Sequence, residues 1–356
     1  MKHRTTSGTH HKRIIYKLIL SVIALVFWIS AIVNQKKMEA SHGSISIRYR
    51  DAILTKQQID QILEGMRSRK DADIPQVTLW KREEQTRISN EDLGRFLKVD
   101  LITVAGNTSG IVQGPFAQGG YLSPQDTEGC IIDRNTAFEL FGSEKVIGRT
   151  LEYDNLEYTI RGVLKTAESY TMLIQAGREE GLPVAAAAYR CMELSFSEPD
   201  QALTLAKNFV QTYGLGEPVS YSNGYRYQVI SEFLVHLPIW LCVFGFILYS
   251  VRAVHHLRAS LVLSLSGYVA VIAISMLLIR IADIHFHIPG SWLPNRWSDF
   301  DFWAAKGKEL LAPLRGSEDV VRYYKDTVPF RRLLLVIAGV LITVIAERLL
   351  LKNRLR

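Results

Sequence analysis

Only three cysteines occur in 356 residues, at 130, 191 and 242, which excludes a disulfide-built scaffold. No G-x-x-x-x-G-K-[ST] motif and no strand-linked G-x-G-x-x-G is present, so no nucleotide cradle is expected on this chain. Ser-x-x-Lys, H-E-x-x-H, C-x-x-C and G-x-S-x-G are missing as well, and the adjacent acids Glu83-Glu84 and Glu179-Glu180 read as solvated surface rather than acid/base machinery. No enzyme activity and no cofactor are expected. Nor do the basic residues form a nucleic-acid-binding face. The formal charge of +7 is concentrated beside apolar runs: Lys2, Arg4, Lys12, Arg13 and Lys17 at one end, Arg252 and Arg258 in the middle, and Arg348, Lys352, Arg354 and Arg356 at the other.

What the chain does have is long apolar runs, consistent with a mean hydropathy of +0.07 alongside ordinary surface charge. Four stretches approach the ~20 residues needed to cross a bilayer: 14–34, 233–251, 259–279 and 330–351. The last is the weakest, because its uncharged centre covers only 333–346 and it spans only with Arg331, Arg332, Glu347 and Arg348 near the interfaces. The first has the basic start of a signal peptide but a longer apolar run and no A-x-A site, so it reads as an uncleaved anchor. Basic residues flank the runs at 1–13, 252–258 and 352–356, which places both tails and the short turn in the cytoplasm of a four-span protein of the cell membrane. The loop 282–329 then lies outside although residues 280–332 carry Arg296, Lys306, Lys308, Arg315, Arg322, Lys325, Arg331 and Arg332, since the rule weakens for long loops.

The main outside segment is 36–232. Residues 44–50 alternate as a strand; Thr55 opens a helix with Ile59, Ile62, Leu63 and Met66 on one face, and Thr55 to Gln58 reads as a capping box. Residues 76–88 read as strand with a turn, 100–105 as strand, and the Gly-rich stretch 106–120 as a loop bending over the surface. A strand at 130–133 leads to a helix at 135–141 closed by Gly142, then strands at 150–153 and 157–164 joined by a turn at Asp154-Asn155. Strands at 184–189 and 191–196 and an amphipathic helix at 200–213 complete an α+β domain.

Within it, Gly119-Gly120-Tyr121-Leu122-Ser123-Pro124-Gln125-Asp126, Ile131-Ile132, Ala137, Glu139-Leu140-Phe141-Gly142, Ile147-Gly148-Arg149-Thr150 and Tyr158-Thr159-Ile160-Arg161-Gly162-Val163-Leu164 follow one pattern in order and spacing. The pattern resembles the MacB-like periplasmic core domain of the MacB/FtsX-like ABC transporter permease family. The resemblance implies that Asp126, Phe141, Gly142, Gly148, Gly162 and Val163 are structural motif positions. It also implies a permease-like transmembrane subunit whose energy comes from a separate ABC ATPase, with the lipid bilayer and a second permease chain as further partners. The chain departs from the family pattern in one respect: family members carry a cytoplasmic coupling helix between the second and third spans, and 252–258 is too short for one. A membrane-anchored binding or scaffold protein is the alternative.

Other candidates are weaker. Trp292, Trp297 and Trp303 form an aromatic belt at the membrane surface or a partner surface. Asp283, His285 and His287 align with period two as a metal set, but read better as interfacial polar residues. His255-His256 faces headgroups, while His236 and Pro238 shape a helix entry. Cys242 reads as a small packing residue. Cys130 and Cys191 both fall on the oxidising side, which allows a bridge between them, though both sit in apolar strands.

Overall fold

Ser44–Arg48 (β1) alternates Ile45 and Ile47 with Ser46 and Arg48, yet all but its first residue are buried. Both faces of this strand are therefore covered. A computed structural model describes residues 6–38, 44–71, 73–111, 115–165, 170–177, 187–256, 261–281, 296, 298–311 and 324–352. The chain divides into two units: one holds 41–225 with 298–327, the other 1–40, 226–297 and 328–356.

In the first unit the remaining elements are β2 (Leu54–Thr55), α2 (Lys56–Arg69), β3 (Gln76–Asn90), β4 (Arg95–Ala105), β5 (Phe116–Gly119), β6 (Gly129–Asp133), α3 (Arg134–Phe141), β7 (Thr150–Tyr153), β8 (Leu156–Leu164), β9 (Thr171–Gln175), β10 (Ala188–Tyr189), β11 (Cys191–Ser195), α4 (Ala202–Thr212) and β12 (Ser220–Asn223). A mixed sheet runs β12-β1-β11-β3-β4-β9-β6-β8-β5, with β7 pairing β3 and β8, and β2 pairs β10 separately. The β4/β9 and β6/β8 pairs are parallel.

Local chemistry explains the helices. The Thr55 hydroxyl accepts from the Gln58 amide at the start of α2. Asp133, fully buried, accepts from the amides of Asn135, Thr136 and Thr171 and from the Thr136 hydroxyl, so one carboxylate caps α3 and ties it to β9. α2 and α4 pack Ile59, Leu63, Met66, Ala202, Ala206, Phe209 and Val210 onto Ile45, Ile47, Met192 and Leu194. α3 packs Ala137, Leu140 and Phe141 onto Ile88, Val99, Ile132 and Ile160. On the opposite face, Ile111 and Leu122 close over Trp80, Val104 and Leu173. The Gly-rich stretch thus folds over the sheet, as its composition implies, but its Phe116–Gly119 portion pairs with β8 as an edge strand.

Several sequence expectations change. Residues 76–88 form one long strand without a turn; the irregularity is a bulge between Glu83 and Thr86, where Gln85 takes a φ of 58°. β9 and β12 carry no turn punctuation or clear alternation, and their pairing comes from distant partners. Most of 184–189 lies outside the described residues. Cys130 and Cys191 are free thiols; β3, β4 and β9 stand between their strands, a separation of roughly 19 Å at ~4.8 Å per strand, far beyond disulfide reach.

In the second unit, α1 (Thr6–Lys36), α5 (Gly224–His256), α6 (Leu261–Ile281) and α8 (Tyr324–Lys352) are helical. Among the described residues three are long and apolar enough to cross a membrane, over Ile14–Lys36, Gly224–His255 and Val328–Leu350; the described apolar part of α6, Leu265–Ile274, is shorter. α5 begins at Gly224, directly after β12 and nine residues before the apolar run at 233–251, because Asn223 accepts from the Tyr225 amide and nucleates the first turn early.

Candidate functional site

The motif residues meet at the β5 edge of the sheet. Gly119 and Gly162 are register partners across β5 and β8. A Cβ on Gly119, whose φ is +70°, would lie 2.0 Å from the Arg161 carbonyl oxygen, and one on Gly162 would lie 2.5 Å from the Gly120 carbonyl and 2.7 Å from the Phe116 ring. Arg161 donates to Asp126 at 3.1 Å, and a Cβ on the neighbouring Gly129 would meet that carboxylate at 2.5 Å. The pair is partly exposed, so its value is ~1 kcal/mol or less; its effect is to hold the turn before β6 against β8. Val163 is fully buried opposite Ile132.

The other motif positions close α3. Gly142 adopts a φ of 69° and its amide donates to the Phe138 carbonyl, while Arg95 donates to the Glu139 carbonyl at 3.2 Å. Phe141 is buried beneath the Arg149 guanidinium, 5.9 Å from its ring centre. Gly148, at φ 82°, donates to the Ile160 carbonyl, and the Ile160 amide donates to Arg149. All six positions shape backbone or core. Burial, with Asp126 nearby, pushes the Cys130 thiol well above its usual range, as expected for an inert packing thiol.

A second centre has no counterpart in the sequence reading. Arg48 donates to Glu193 at 2.8 Å, Trp80 donates to the same carboxylate at 2.9 Å, and Ser46 donates to its other oxygen at 2.5 Å. The Arg48 guanidinium also lies 4.9 Å from the Trp80 ring centre. All four residues are buried. Alternation alone places Ser46 and Arg48 on the face opposite Ile45 and Ile47, where solvent would be expected; the only signal was an arginine and a glutamate inside otherwise apolar strands. Nearby, burial and the adjacent Tyr221 push the Tyr49 hydroxyl well above its usual range.

In the helical unit, α1 and α8 approach closely at Gly339, where a Cβ would lie 2.9 Å from the Phe27 carbonyl. Thr343 donates to the Ala24 carbonyl at 3.2 Å. Trp28 donates to the Val235 carbonyl at 2.9 Å, one turn before Pro238, whose ring disturbs the α5 hydrogen-bond ladder there. His236 pairs with the Glu232 carbonyl at the same place. Cys242 is exposed on α5 rather than packed. In the other unit, Trp303 lies 40% exposed on a further helix, α7 (Phe300–Leu311), which is shorter than a span and precedes α8 in the chain. Trp292, Trp297, Asp283, His285 and His287 lie outside the described residues.

Among curated proteins, none matches the chain. Solved structures match it, among them the following two. The periplasmic region of MacB from Actinobacillus actinomycetemcomitans is 12% identical, covers 53% of this chain and 92% of its own, and aligns with a TM-score of 0.38. The extracellular domain of the noncanonic ABC-type transporter YknZ from Gram-positive bacteria is 18% identical, covers 50% and 97%, and aligns at 0.37. Residues 19–190 match the family model of the MacB-like periplasmic core domain. The chain is thus similar, over about half its length, to the MacB-like periplasmic core domain, and it also carries membrane-type helices at Ile14–Lys36, Gly224–His255 and Val328–Leu350.

Proposed function

We propose that the chain is a permease-like transmembrane subunit of an ABC-type assembly, with four spans, both termini cytoplasmic and the 36–232 domain outside. The observation that carries this reading is the MacB-like core domain inserted between α1 and α5. The outside domain engages a substrate or partner. A separate ATPase supplies the energy, and a second permease chain completes the membrane path. The chain's own role is binding and transmission of movement rather than covalent chemistry. The test is purification of the tagged full-length chain from its own cells after in-cell crosslinking. Recovery of an ABC ATPase whose hydrolysis rate changes on adding the chain supports the reading; consistent recovery without one overturns it.

One observation favours a second reading, a non-transporting membrane-anchored binding or scaffold protein. α5 ends at His256 and α6 begins at Leu261, leaving four intervening residues, less than the two or three turns a coupling helix needs. On this reading the same purification yields envelope proteins bound to the outside domain, and deletion of any neighbouring ABC ATPase leaves the phenotype of the chain intact.

A further inference from the structure

Glu347 falls inside Val328–Leu350, the part of α8 that is long and apolar enough to cross a membrane. Counting along the sequence puts it near an interface, but the packing of α8 on its neighbours gives a different depth. Thr343 of α8 donates to the Ala24 carbonyl of α1, and Ala346 packs with Leu20 and Ala24. Glu347 is thus level with residues 20–24 of α1, whose apolar run at 14–34 has its middle at residue 24. From α5, the Cys242 thiol faces the Glu347 carboxyl as a weak donor. Cys242 is the middle residue of the run 233–251, so about 14 Å of helix, at 1.5 Å per residue, separates it from either end of that run. Two neighbouring helices therefore place this acid deep in a hydrocarbon layer about 30 Å thick.

The Glu347 side chain is half-buried, and its Oε2 is buried with no hydrogen-bond partner among the described residues. The stretches packed at this level, 20–24 of α1 and 238–246 of α5, carry no charged side chain. Lys17 is most of a turn further along α1, and Arg348 points about 100° away round α8. An ionised carboxylate here would stand uncompensated in hydrocarbon, whereas the protonated acid asks only for ordinary hydrogen bonds. Ionisable side chains at such depth, turned into a helix bundle, mark proton and ion sites in membrane proteins. We infer that Glu347 is an intramembrane acid that holds its proton at neutral pH, a proton-binding site open to apolar carboxyl reagents and closed to water-borne ones. The inference rests on α1, α5 and α8 crossing the membrane; it needs no ATPase partner and holds equally for the scaffold reading.

The test uses the full-length chain in phosphatidylcholine nanodiscs at pH 7, with dicyclohexylcarbodiimide as the apolar probe. The carboxyl O–H adds across one C=N bond of the reagent, its proton passing to nitrogen. Acyl transfer from oxygen to nitrogen then gives an N-acylurea, so the whole reagent is retained and nothing leaves. An ordinary glutamate holds its proton in about one molecule in 500 at pH 7, so peptide mapping should find Glu347 labelled about tenfold or more above any exposed acid. A water-soluble carbodiimide with added glycine amide should modify exposed acids and spare Glu347. Glu347→Gln should lose the apolar label and keep the parent's melting temperature, because one neutral side chain replaces another. No apolar labelling of Glu347, or labelling only in acid, would show a carboxylate at neutral pH and overturn the inference. Comparable labelling by the water-soluble reagent overturns it too, by putting the acid at the aqueous boundary. A Cys242→Ala/Phe244→Cys variant separates that outcome from failure of the spans, since Phe244 is 59% exposed on α5 close to the level of Glu347 and the other cysteines are buried. A membrane-impermeant maleimide that reaches position 244 overturns the spanning reading together with the inference, whereas protection of 244 leaves the spans standing. Absence of an ABC ATPase from the purification above, with apolar labelling of Glu347 intact, would refute the permease reading alone.

Discussion

Arg48 and Glu193 meet at 2.8 Å between adjacent strands of the sheet interior, each side chain under 5% exposed. Glu193 accepts from three side chains at once, so its charge is compensated only while β1, β11 and β3 keep their register. Removing one partner of such a pair strands a buried charge at a cost of about 3–5 kcal/mol, whereas replacing both with apolar residues of similar size is often neutral. Arg48→Met or Glu193→Leu alone should therefore greatly reduce the folded yield of the full chain and its melting temperature in detergent. The Arg48→Met/Glu193→Leu double variant should recover most of the loss. Additive losses in the double variant would show that the pair contributes through packing and not through charge compensation.

A comparison of glycines separates two kinds of constraint at the family motif. Gly142 needs a left-handed backbone but has only the tip of Arg95 within 4 Å, at 3.5 Å. Gly162 has no positive φ; what it lacks room for is a side chain, because the Gly120 carbonyl occupies that space. Gly142→Ala should cost about 1 kcal/mol, and Gly162→Ala should cost more, since backbone and not a flexible tip must move. Thermal unfolding of the two full-length variants ranks them. Gly162→Ala melting at or above Gly142→Ala would mean that β5 detaches freely from β8.

Much of this architecture was legible in the chain because it is locally encoded. Thr55 and Gly142 mark helix ends by their own chemistry, Asp154-Asn155 supplies two consecutive positive φ values for a tight turn, and three apolar runs lie in helices long enough to cross a membrane. The parts that were not legible depend on partners distant in sequence. β9 is defined by pairing with β4 and β6, and the charge on Arg48 makes sense only beside Glu193, 145 residues away. The start of α5 is not written in hydropathy either: hydropathy locates the apolar run at 233–251, whereas the cap at Asn223 sets where the helix begins. Crowding at a glycine is another such non-local property: a Cβ on Gly119, Gly129 or Gly162 would meet atoms at 2.0 to 2.5 Å, whereas one on Gly148 would meet nothing within 4 Å, and no local sequence signal separates them.

The α1 and α8 contact depends on small residues. A side chain at 339 would press on the Phe27 carbonyl at 2.9 Å and the Ala31 methyl at 3.3 Å, so Gly339→Leu should force the helices apart. Lost packing is the main penalty, because helix association in lipid has little hydrophobic drive of its own. Thr343→Val removes the hydrogen bond to Ala24 while keeping the shape, and should cost only about 0.6 kcal/mol. Heat resistance of the detergent-solubilised chain should fall clearly for Gly339→Leu and barely for Thr343→Val. The opposite ranking would make the hydrogen bond, and not close approach, the main contact.

Glu152 lies beside Ser89 and opposite Glu157 in the β3-β7-β8 register, and its carboxyl is held above the ordinary range chiefly by a hydrogen bond with Glu91, then by burial and by the charges of Glu91 and Glu157. An acid whose folded value is raised keeps its proton in the native state after the unfolded chain has lost it. Across that window the native state binds more protons, so stability falls as pH rises. The loss begins near the ordinary glutamate range, about pH 4, and is complete once pH exceeds the raised folded value. Glu152→Gln retains a donor to Glu91 and removes the charge. The variant should therefore melt higher than the parent at pH 7 and match it below about pH 4, where Glu152 is protonated in both states. Melting curves of the two full-length proteins across pH 4 to 7 provide the measurement. A constant offset at every pH would show that the substitution acts through packing, and that Glu91 and Glu152 share no proton.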